Sequence, residues 1–147
     1  GYSFHQDQRC QCSPSMIQRY QSKISGPLLD RIDLHIEVPP LPVEALQSKI
    51  SGENSATVRA RVIAAYQLQM RRQACLNSAL NPQQLEIYCA LDPASENFMH
   101  LVQQRLNLSA RGYHRLLRVA RSIADLAHSA QIQQQHLAEA LSYRSLT

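Results

Sequence analysis

The stretch SARGYHRLLRVARSIADLAHS, residues 109–129, decides the fold of this chain. Apolar side chains recur along it every three or four residues, which is the period of an amphipathic α-helix. They are Tyr113, Leu116, Leu117, Ala120, Ile123, Ala124 and Ala127. Ser109 stands where an N-cap residue is expected. The pattern therefore predicts a long helix that begins after Ser109 and buries one face.

Four further segments after residue 54 carry helix start signals or helical spacing. We expect a helix capped by Ser55 that runs to about Ala74, and further helices from Pro82 through Leu85 and Tyr88, from Asp92 and Pro93 to Leu106, and over about residues 133–143. Together with residues 109–129 they make about five helices. The fold class predicted from these patterns is mainly α.

The residues before this helical region show a different pattern. Start and stop signals at Ser13, Pro14 and Gly26 predict a helix over about residues 14–25, followed by a brief helical turn over 27–30. IDLHIEV, residues 32–38, alternates apolar and polar side chains as a half-buried strand does, and the proline-rich PPLPVEAL after it is typical of a linker.

A single strand cannot form a stable sheet by itself, so its partners are expected outside this sequence. The chain also opens in a polar stretch, GYSFHQDQRC, without a starting Met. Both observations suggest an excised fragment of a longer protein.

Composition limits the classes of function. The net charge is +4 and the pI about 9.1, which fits an anionic partner such as a nucleotide or nucleic acid but also fits many ordinary proteins. There is no apolar run long enough to cross a membrane and no signal-peptide pattern. The four cysteines do not resemble a secreted disulfide framework, which favours the reducing cytoplasm.

The cysteines and histidines give only weak indications of a site. Cys10 and Cys12 form a C-x-C pair with His5 nearby, and two thiolates supply half of a tetrahedral zinc site. The alternative is two loop cysteines without a role. His35 and His114 lack a nearby nucleophile motif, so a catalytic triad is not indicated. Phosphate-loop, dinucleotide-binding and H-E-x-x-H motifs are also missing, so the chain has no recognisable catalytic centre.

Arginines remain as candidates for binding an anion. Arg111, Arg115 and Arg118 share one face of the long predicted helix, with Arg121 beside them. Arg111 lies in the first turn, where it could reach a phosphate held near the helix start; a solvated basic face is the alternative.

The role of Arg31 also has two possible interpretations. It either forms a salt bridge with Asp30 or Asp33, or is presented across an interface to a phosphoryl group, as an arginine finger is. The residues themselves do not choose between the two.

Three motifs carry a resemblance that covers nearly the entire chain. They are CQCSPSMIQRYQSKISGPLLDRIDLHIEVP, residues 10–39; SARGYHRLLRVARSIADL, residues 109–126; and HLAEALSYR, residues 136–144. Together they closely resemble the C-terminal part of the Mg-chelatase-like AAA+ ATPases, in particular the ComM/YifB competence-protein family. The resemblance implies that residues 1–40 are the end of an αβα ATPase core, a short helix-strand remnant. Residues 41–54 would be a linker, and residues 55–147 a helical lid, a small helix bundle.

The same resemblance implies an activity and partners for the full-length protein. Members are expected to form a hexameric ring and to use ATP and Mg²⁺ to drive branch migration of DNA during natural transformation. The phosphate loop and the Mg²⁺-coordinating motif would lie upstream of Gly1, so the fragment alone is not expected to hydrolyse ATP. Gly1 resembles the end of a C-P-C-G element, which would supply the other half of a Zn²⁺ site with Cys10 and Cys12.

Two residues receive roles from matching motifs. Arg31, in LLDRIDL, resembles an arginine finger that acts in trans on a neighbouring subunit's ATP. Arg111, in SARGYHRLLRVA, resembles the sensor-2 arginine of the lid; Arg115 and Arg118 receive no role. Two rivals remain open: a magnesium chelatase subunit that acts on a porphyrin, and a stand-alone basic helical module that binds nucleic acid.

Overall fold

The computed structural model describes residues 10–38, 41 and 52–144. These fall into two compact units. One comprises residues 33–35 and 52–144, and the other comprises the remaining described residues. The expected linker over 41–54 lies largely outside the described residues, as does His5.

The first unit contains two short helices, α1 (Pro14–Gln21) and α2 (Gly26–Leu29). The Ser13 hydroxyl caps α1 by accepting from the backbone N–H of Met16, as its sequence position predicts. The predicted extension of α1 to residue 25 is wrong, because the helix ends at Gln21. Pro27 keeps α1 and α2 separate, because it has no N–H and its ring would clash with the carbonyl four residues earlier if the two formed one continuous helix. The helical turn predicted over 27–30 is present as α2.

The predicted strand over residues 32–38 is not formed. These residues carry no regular secondary structure, and no β-ladder occurs anywhere in the described ranges, where Leu91 and Ile132 form an isolated parallel bridge. A strand is stabilised by hydrogen bonds to a neighbouring strand, and the described residues supply none for this segment. Apolar and polar alternation was therefore insufficient to specify a strand here.

The second unit is built from helices. They are α3 (Ser55–Gln73), α4 (Pro82–Tyr88), α5 (Pro93–Leu106), α6 (Ala110–Leu126) and α7 (Gln134–Ser142), with one turn of 3₁₀-helix at Asn77–Ala79. This agrees with the mainly α class predicted from the sequence. No helix in the part of the chain that the structure describes is long and apolar enough to cross a membrane.

Side-chain caps fix where most of these helices begin. Asn54, rather than the predicted Ser55, caps α3 by accepting from the backbone N–H of Thr57 at 2.9 Å. Asn81 and Gln84 form a reciprocal capping box at the start of α4. Asp92 accepts from the N–H of Ser95 at 2.7 Å to begin α5. Local polar residues therefore set the helix boundaries.

Helix α6 is the centre of the second unit. It contacts α3, α4, α7 and the 3₁₀ turn, and α5 packs against α7. Its buried apolar side chains join those of the other helices in one core, which contains Leu80, Leu85, Cys89, Met99, Leu116, Leu117, Ala120, Ala124, Ile132, Leu137 and Ala140. The apolar stripe that the sequence predicted is the face that α6 buries, except for Ala127, which follows the end of the helix and is exposed.

Candidate functional site

The first turn of α6 presents a cation, Arg111, that no carboxylate of the described residues neutralises. Ser109 caps the helix by accepting from the backbone N–H of Gly112 at 3.0 Å, and Arg111 lies beside this cap with its side chain exposed. The first turn holds no acidic residue, and no carboxylate within the described ranges pairs with Arg111. Since a helix N-terminus carries partial positive charge, a cation there is unfavourable by about 0.3–1 kcal/mol unless an anion joins it.

The other arginines of α6 are engaged with the protein. Arg115 forms an ion pair with Asp33, and its side chain is 18% exposed. Arg118 donates to the backbone carbonyl of Leu80, from Nε at 3.2 Å and from Nη2 at 2.6 Å. Arg121 is buried. The alternative of a solvated basic face is therefore wrong for Arg115 and Arg118, and Arg111 is the outlier on this helix.

Arg31 lies in the turn that follows α2, with its backbone N–H donating to the Leu28 carbonyl at 3.0 Å. Its side chain is exposed. Asp33, one of the two carboxylates considered as its salt-bridge partner, is engaged by Arg115. The structure thus leaves both Arg31 and Arg111 exposed, and the two residues belong to different units.

The far end of α6 is fixed by a buried ionic cluster around Asp125. Two guanidinium groups bind this carboxylate: Arg72 from α3 at 2.5 and 2.9 Å, and Arg121 at 3.1 Å. Arg121 also donates to the carbonyls of Ser129 and Ala130. Both Arg121 and Asp125 are at most 2% exposed, so their charges depend on each other.

The ionisation of Asp125 follows from these contacts. Burial alone would raise the pKa of its carboxyl group. Hydrogen bonds from Arg72 and Asn77, together with the charge of Arg121, outweigh burial and hold the pKa below its usual value. For Arg121, burial is the largest effect and lowers the pKa of its guanidinium, although Asp125 opposes this. We infer that the cluster is charged at neutral pH, with Asp125 ionised.

Neutral polar groups complete this cluster. Asn77 donates to Asp125 at 2.9 Å and to Ser122 at 3.1 Å, while its own backbone N–H donates to Gln69. Gln73 donates to the Asn77 side-chain oxygen at 2.9 Å. Sequence reasoning missed the cluster, although the four-residue spacing of Arg121 and Asp125 is a signal for an ion pair on one helix. These contacts hold α6 rigidly against α3.

The cysteines do not assemble a metal site within the described ranges. Cys10 and Cys12 are both half-buried, and no group of three or more His, Cys, Asp and Glu side chains suited to a metal occurs there. Two thiolates are half of a tetrahedral zinc set, so zinc binding stays a prediction for the full-length protein. Cys89 belongs to the core, where burial raises the pKa of its thiol to about 11 and makes it a poor nucleophile.

The fold and the site define a class of protein: a helical domain that presents exposed arginines and, in the residues described, assembles no catalytic centre of its own. The chain matches the family described as magnesium chelatase, subunit ChlI C-terminal, over residues 52–144, and the family described as magnesium chelatase, subunit ChlI, over residues 1–46. The chain therefore belongs to the magnesium chelatase-like family, as its motifs indicated, and specifically to the ComM/YifB group.

Individual relatives support this assignment. The chain is 47% identical over 135 residues to the competence protein ComM of Haemophilus influenzae, covering 91% of this chain and 26% of that protein. It is 43% identical over 143 residues to the uncharacterized protein YifB of Salmonella typhimurium, covering 97% of this chain and 28% of that protein. YifB of Escherichia coli is 42% identical. The chain thus spans about a quarter of the length of these relatives.

Proposed function

We propose that this chain is the sensing lid of an ATP-dependent AAA+ motor of the ComM type, and that the full-length protein moves DNA strands. The main support for this proposal is the position of Arg111. It is an exposed guanidinium at the start of a helix whose other arginines are already bound to the protein. Such a position breaks the usual preference for acidic residues at helix starts, and broken local rules are expected at functional sites.

The terminal phosphate of ATP suits this position chemically. A guanidinium binds phosphate oxygens through paired charge-assisted hydrogen bonds, and the partial positive charge of the helix start adds to the attraction. The Asp125 cluster fixes the opposite end of α6 to α3. A force applied to Arg111 would therefore move the second unit as a body, which is how a lid relays the phosphate state.

Arg31 is proposed to act on a different nucleotide. In a ring of identical subunits, a nucleotide bound at an interface is reached by side chains of two neighbours. Arg31, exposed in its turn, would stabilise the charge that develops on the γ-phosphate bound by the next subunit. Mg²⁺, when bound by the nucleotide site of the full-length protein, neutralises charge on the β- and γ-phosphates. This chain has no phosphate-loop motif of its own.

A magnesium chelatase subunit is the second candidate, and the names of the matched families favour it. It would couple the same ATP chemistry to insertion of a metal into a porphyrin. DNA should stimulate ATP hydrolysis by a strand-moving motor and leave a chelatase unaffected. A third candidate, a basic helical module, would bind DNA without ATP, with log affinity falling linearly as log salt concentration rises.

Steady-state ATP hydrolysis by the full-length protein, with and without branched DNA, tests the proposal. We expect DNA to stimulate hydrolysis, and Arg31→Ala and Arg111→Ala each to lower kcat by about a hundredfold or more. Arg19→Ala and Arg105→Ala are matched controls, because both remove an exposed arginine from a helix, and they should retain wild-type rates. Normal rates for both Arg31→Ala and Arg111→Ala would show that the assigned roles are wrong.

A further inference from the structure

One short segment of three residues belongs to a different unit from its neighbours in the chain. Asp33, Leu34 and His35 belong to the helical unit, whereas the residues on either side of them belong to the other unit. Leu34 is 47% exposed, so this attachment does not come from burying its side chain. The contacts of Asp33 and His35 must account for it, and we call residues 33–35 the clip.

The clip is fastened at two points to two different helices. The Nε–H of Arg115 on α6 donates to Oδ1 of Asp33. The backbone N–H of His35 donates to the carbonyl of Tyr143, the C-cap residue of α7, at 2.7 Å. Release of the clip therefore requires loss of an ion pair and of a backbone hydrogen bond.

The buried ring of His35 opposes the attachment of the clip. Both of its ring nitrogens are buried, and neither has a hydrogen-bond partner among the described residues. A buried polar group without a partner opposes the packed state, because it was hydrogen-bonded to water before packing. The ring therefore weakens the clip, and the Asp33–Arg115 ion pair and the His35–Tyr143 backbone hydrogen bond oppose its release.

The clip lies next to both candidate phosphate-contacting residues. Along the chain, Arg31 precedes Asp33 by two residues. On α6, Arg111 precedes Arg115 by four residues, which is about 6 Å or one helical turn. The two ends of the ion pair are thus each covalently close to one of the two arginines.

We infer that Asp33 and Arg115 are positioning residues: their ion pair couples the segment that bears Arg31 to the helix that bears Arg111. When the clip is attached, the backbone of the segment that bears Arg31 is tied to α6. A movement of α6 therefore also moves that segment. This inference deepens the proposed function and rests on it for its effect on ATP hydrolysis. The attachment itself does not depend on the proposed activity and is measured separately.

Two measurements on the full-length protein test the inference. The first is amide hydrogen exchange of peptides covering residues 33–38, without nucleotide. The second is the dependence of hydrolysis rate on ATP concentration. The variants are Asp33→Asn, Arg115→Gln and the double charge swap Asp33→Arg with Arg115→Asp. Glu37→Gln is the matched control, because it removes an exposed carboxylate from the same segment.

We expect Asp33→Asn and Arg115→Gln to accelerate exchange of residues 33–38 about fivefold and to lower kcat about fivefold, with the KM for ATP unchanged. The charge swap should restore both quantities, and Glu37→Gln should change neither. His35→Leu should slow exchange, because it removes the unpartnered ring nitrogens. A merely structural role of Asp33 would not be restored by reversing the two charges.

Three results would contradict parts of this account. Equal exchange in Asp33→Asn and Glu37→Gln would show that the ion pair does not hold the clip. Faster exchange with an unchanged kcat would show that the clip does not couple the two arginines. A wild-type protein that hydrolyses no ATP would overturn the proposed function, while the exchange result would still decide whether the clip exists.

Discussion

Arg72 and Asp125 join the last turn of α3 to the last turn of α6 through two hydrogen bonds. Nη1 of Arg72 lies 2.5 Å from Oδ1 of Asp125, and Nη2 lies 2.9 Å from Oδ2. Such a two-point pair fixes the orientation of both groups, in contrast to a single contact between point charges. This pair, with Arg121 on the same carboxylate, makes α6 a fixed element on which an exposed Arg111 is presented.

The first prediction concerns this cluster. Asp125→Ala should lower the free energy of unfolding by about 3–5 kcal/mol, because it leaves the buried guanidinium of Arg121 without its counter-charge. Glu86→Gln removes an exposed carboxylate from α4 and should change the free energy by less than about 0.5 kcal/mol. Urea unfolding followed by circular dichroism measures both. A loss below about 1 kcal/mol in Asp125→Ala would show that the cluster contributes little.

The second prediction concerns pH and His136, which is buried at the start of α7. Burial lowers the pKa of its imidazole, and the nearby charge of Arg121 lowers it further. The folded state therefore favours neutral His136 more than the unfolded state does. This contribution to stability is complete well above the unfolded pKa of about 6.5 and is lost as the pH falls through that value toward the folded pKa.

His136→Gln tests this dependence without removing the helix cap. The ring nitrogen Nδ1 accepts from the backbone N–H of Gln133 at 3.0 Å, and a glutamine at this N3 position can accept in the same way. We expect the thermal midpoint of the wild type to fall more between pH 7.5 and pH 5.5 than that of the variant. His100→Gln, at an exposed position, should behave like the wild type. Parallel pH profiles for His136→Gln and wild type would contradict the assignment.

The third prediction concerns the end of α3. Ala74 terminates this helix in the left-handed conformation, with φ of 57°. A residue with a Cβ is unfavourable there by about 1–2 kcal/mol, and glycine avoids this penalty. Ala74→Gly should therefore raise the free energy of unfolding, by about 0.5–1 kcal/mol after the greater flexibility of the unfolded chain is subtracted.

A glycine elsewhere should have the opposite effect. Ala138 is exposed within α7, so Ala138→Gly should lower the free energy of unfolding by about 1 kcal/mol. The same urea titration compares the two variants. If both substitutions destabilise the protein equally, the left-handed geometry at Ala74 does not carry the strain assigned to it.

Much of the helical unit could be predicted from the sequence, because its boundaries are set by neighbouring residues. Pro82, Asp92 and Ser109 each mark a helix start within one residue of the structure. These signals act over three or four residues, within reach of a sequence pattern. The cap of α3 is Asn54 and not Ser55. The sequence did not distinguish the two, because both residue types can cap a helix and the two residues are adjacent.

The predictions that were wrong concern features that depend on residues distant in the sequence. The stretch at residues 32–38 has the composition of a strand, but pairing requires a second strand that the pattern cannot supply. The alternative of a solvated basic face was wrong for Arg118 because its partner, the carbonyl of Leu80, lies 38 residues away in the sequence. The exposure of Arg111 points to a functional role only because the other arginines of α6 form ion pairs and hydrogen bonds within the protein, and the sequence alone does not reveal those contacts.

The central claim is that Arg31 and Arg111 act on one nucleotide from different subunits, and mixing variant subunits tests it directly. Arg31→Ala and Arg111→Ala proteins, each nearly inactive alone, are mixed in equal amounts and allowed to exchange subunits before ATP hydrolysis is measured. A mixture of Arg19→Ala and Arg105→Ala controls for any loss of activity caused by mixing, and energy transfer between fluorescently labelled subunits confirms that exchange has occurred. The account predicts recovery to roughly a quarter of the wild-type rate, because that share of interfaces in a random ring receives both arginines. A mixture no more active than the two variants measured separately would contradict it.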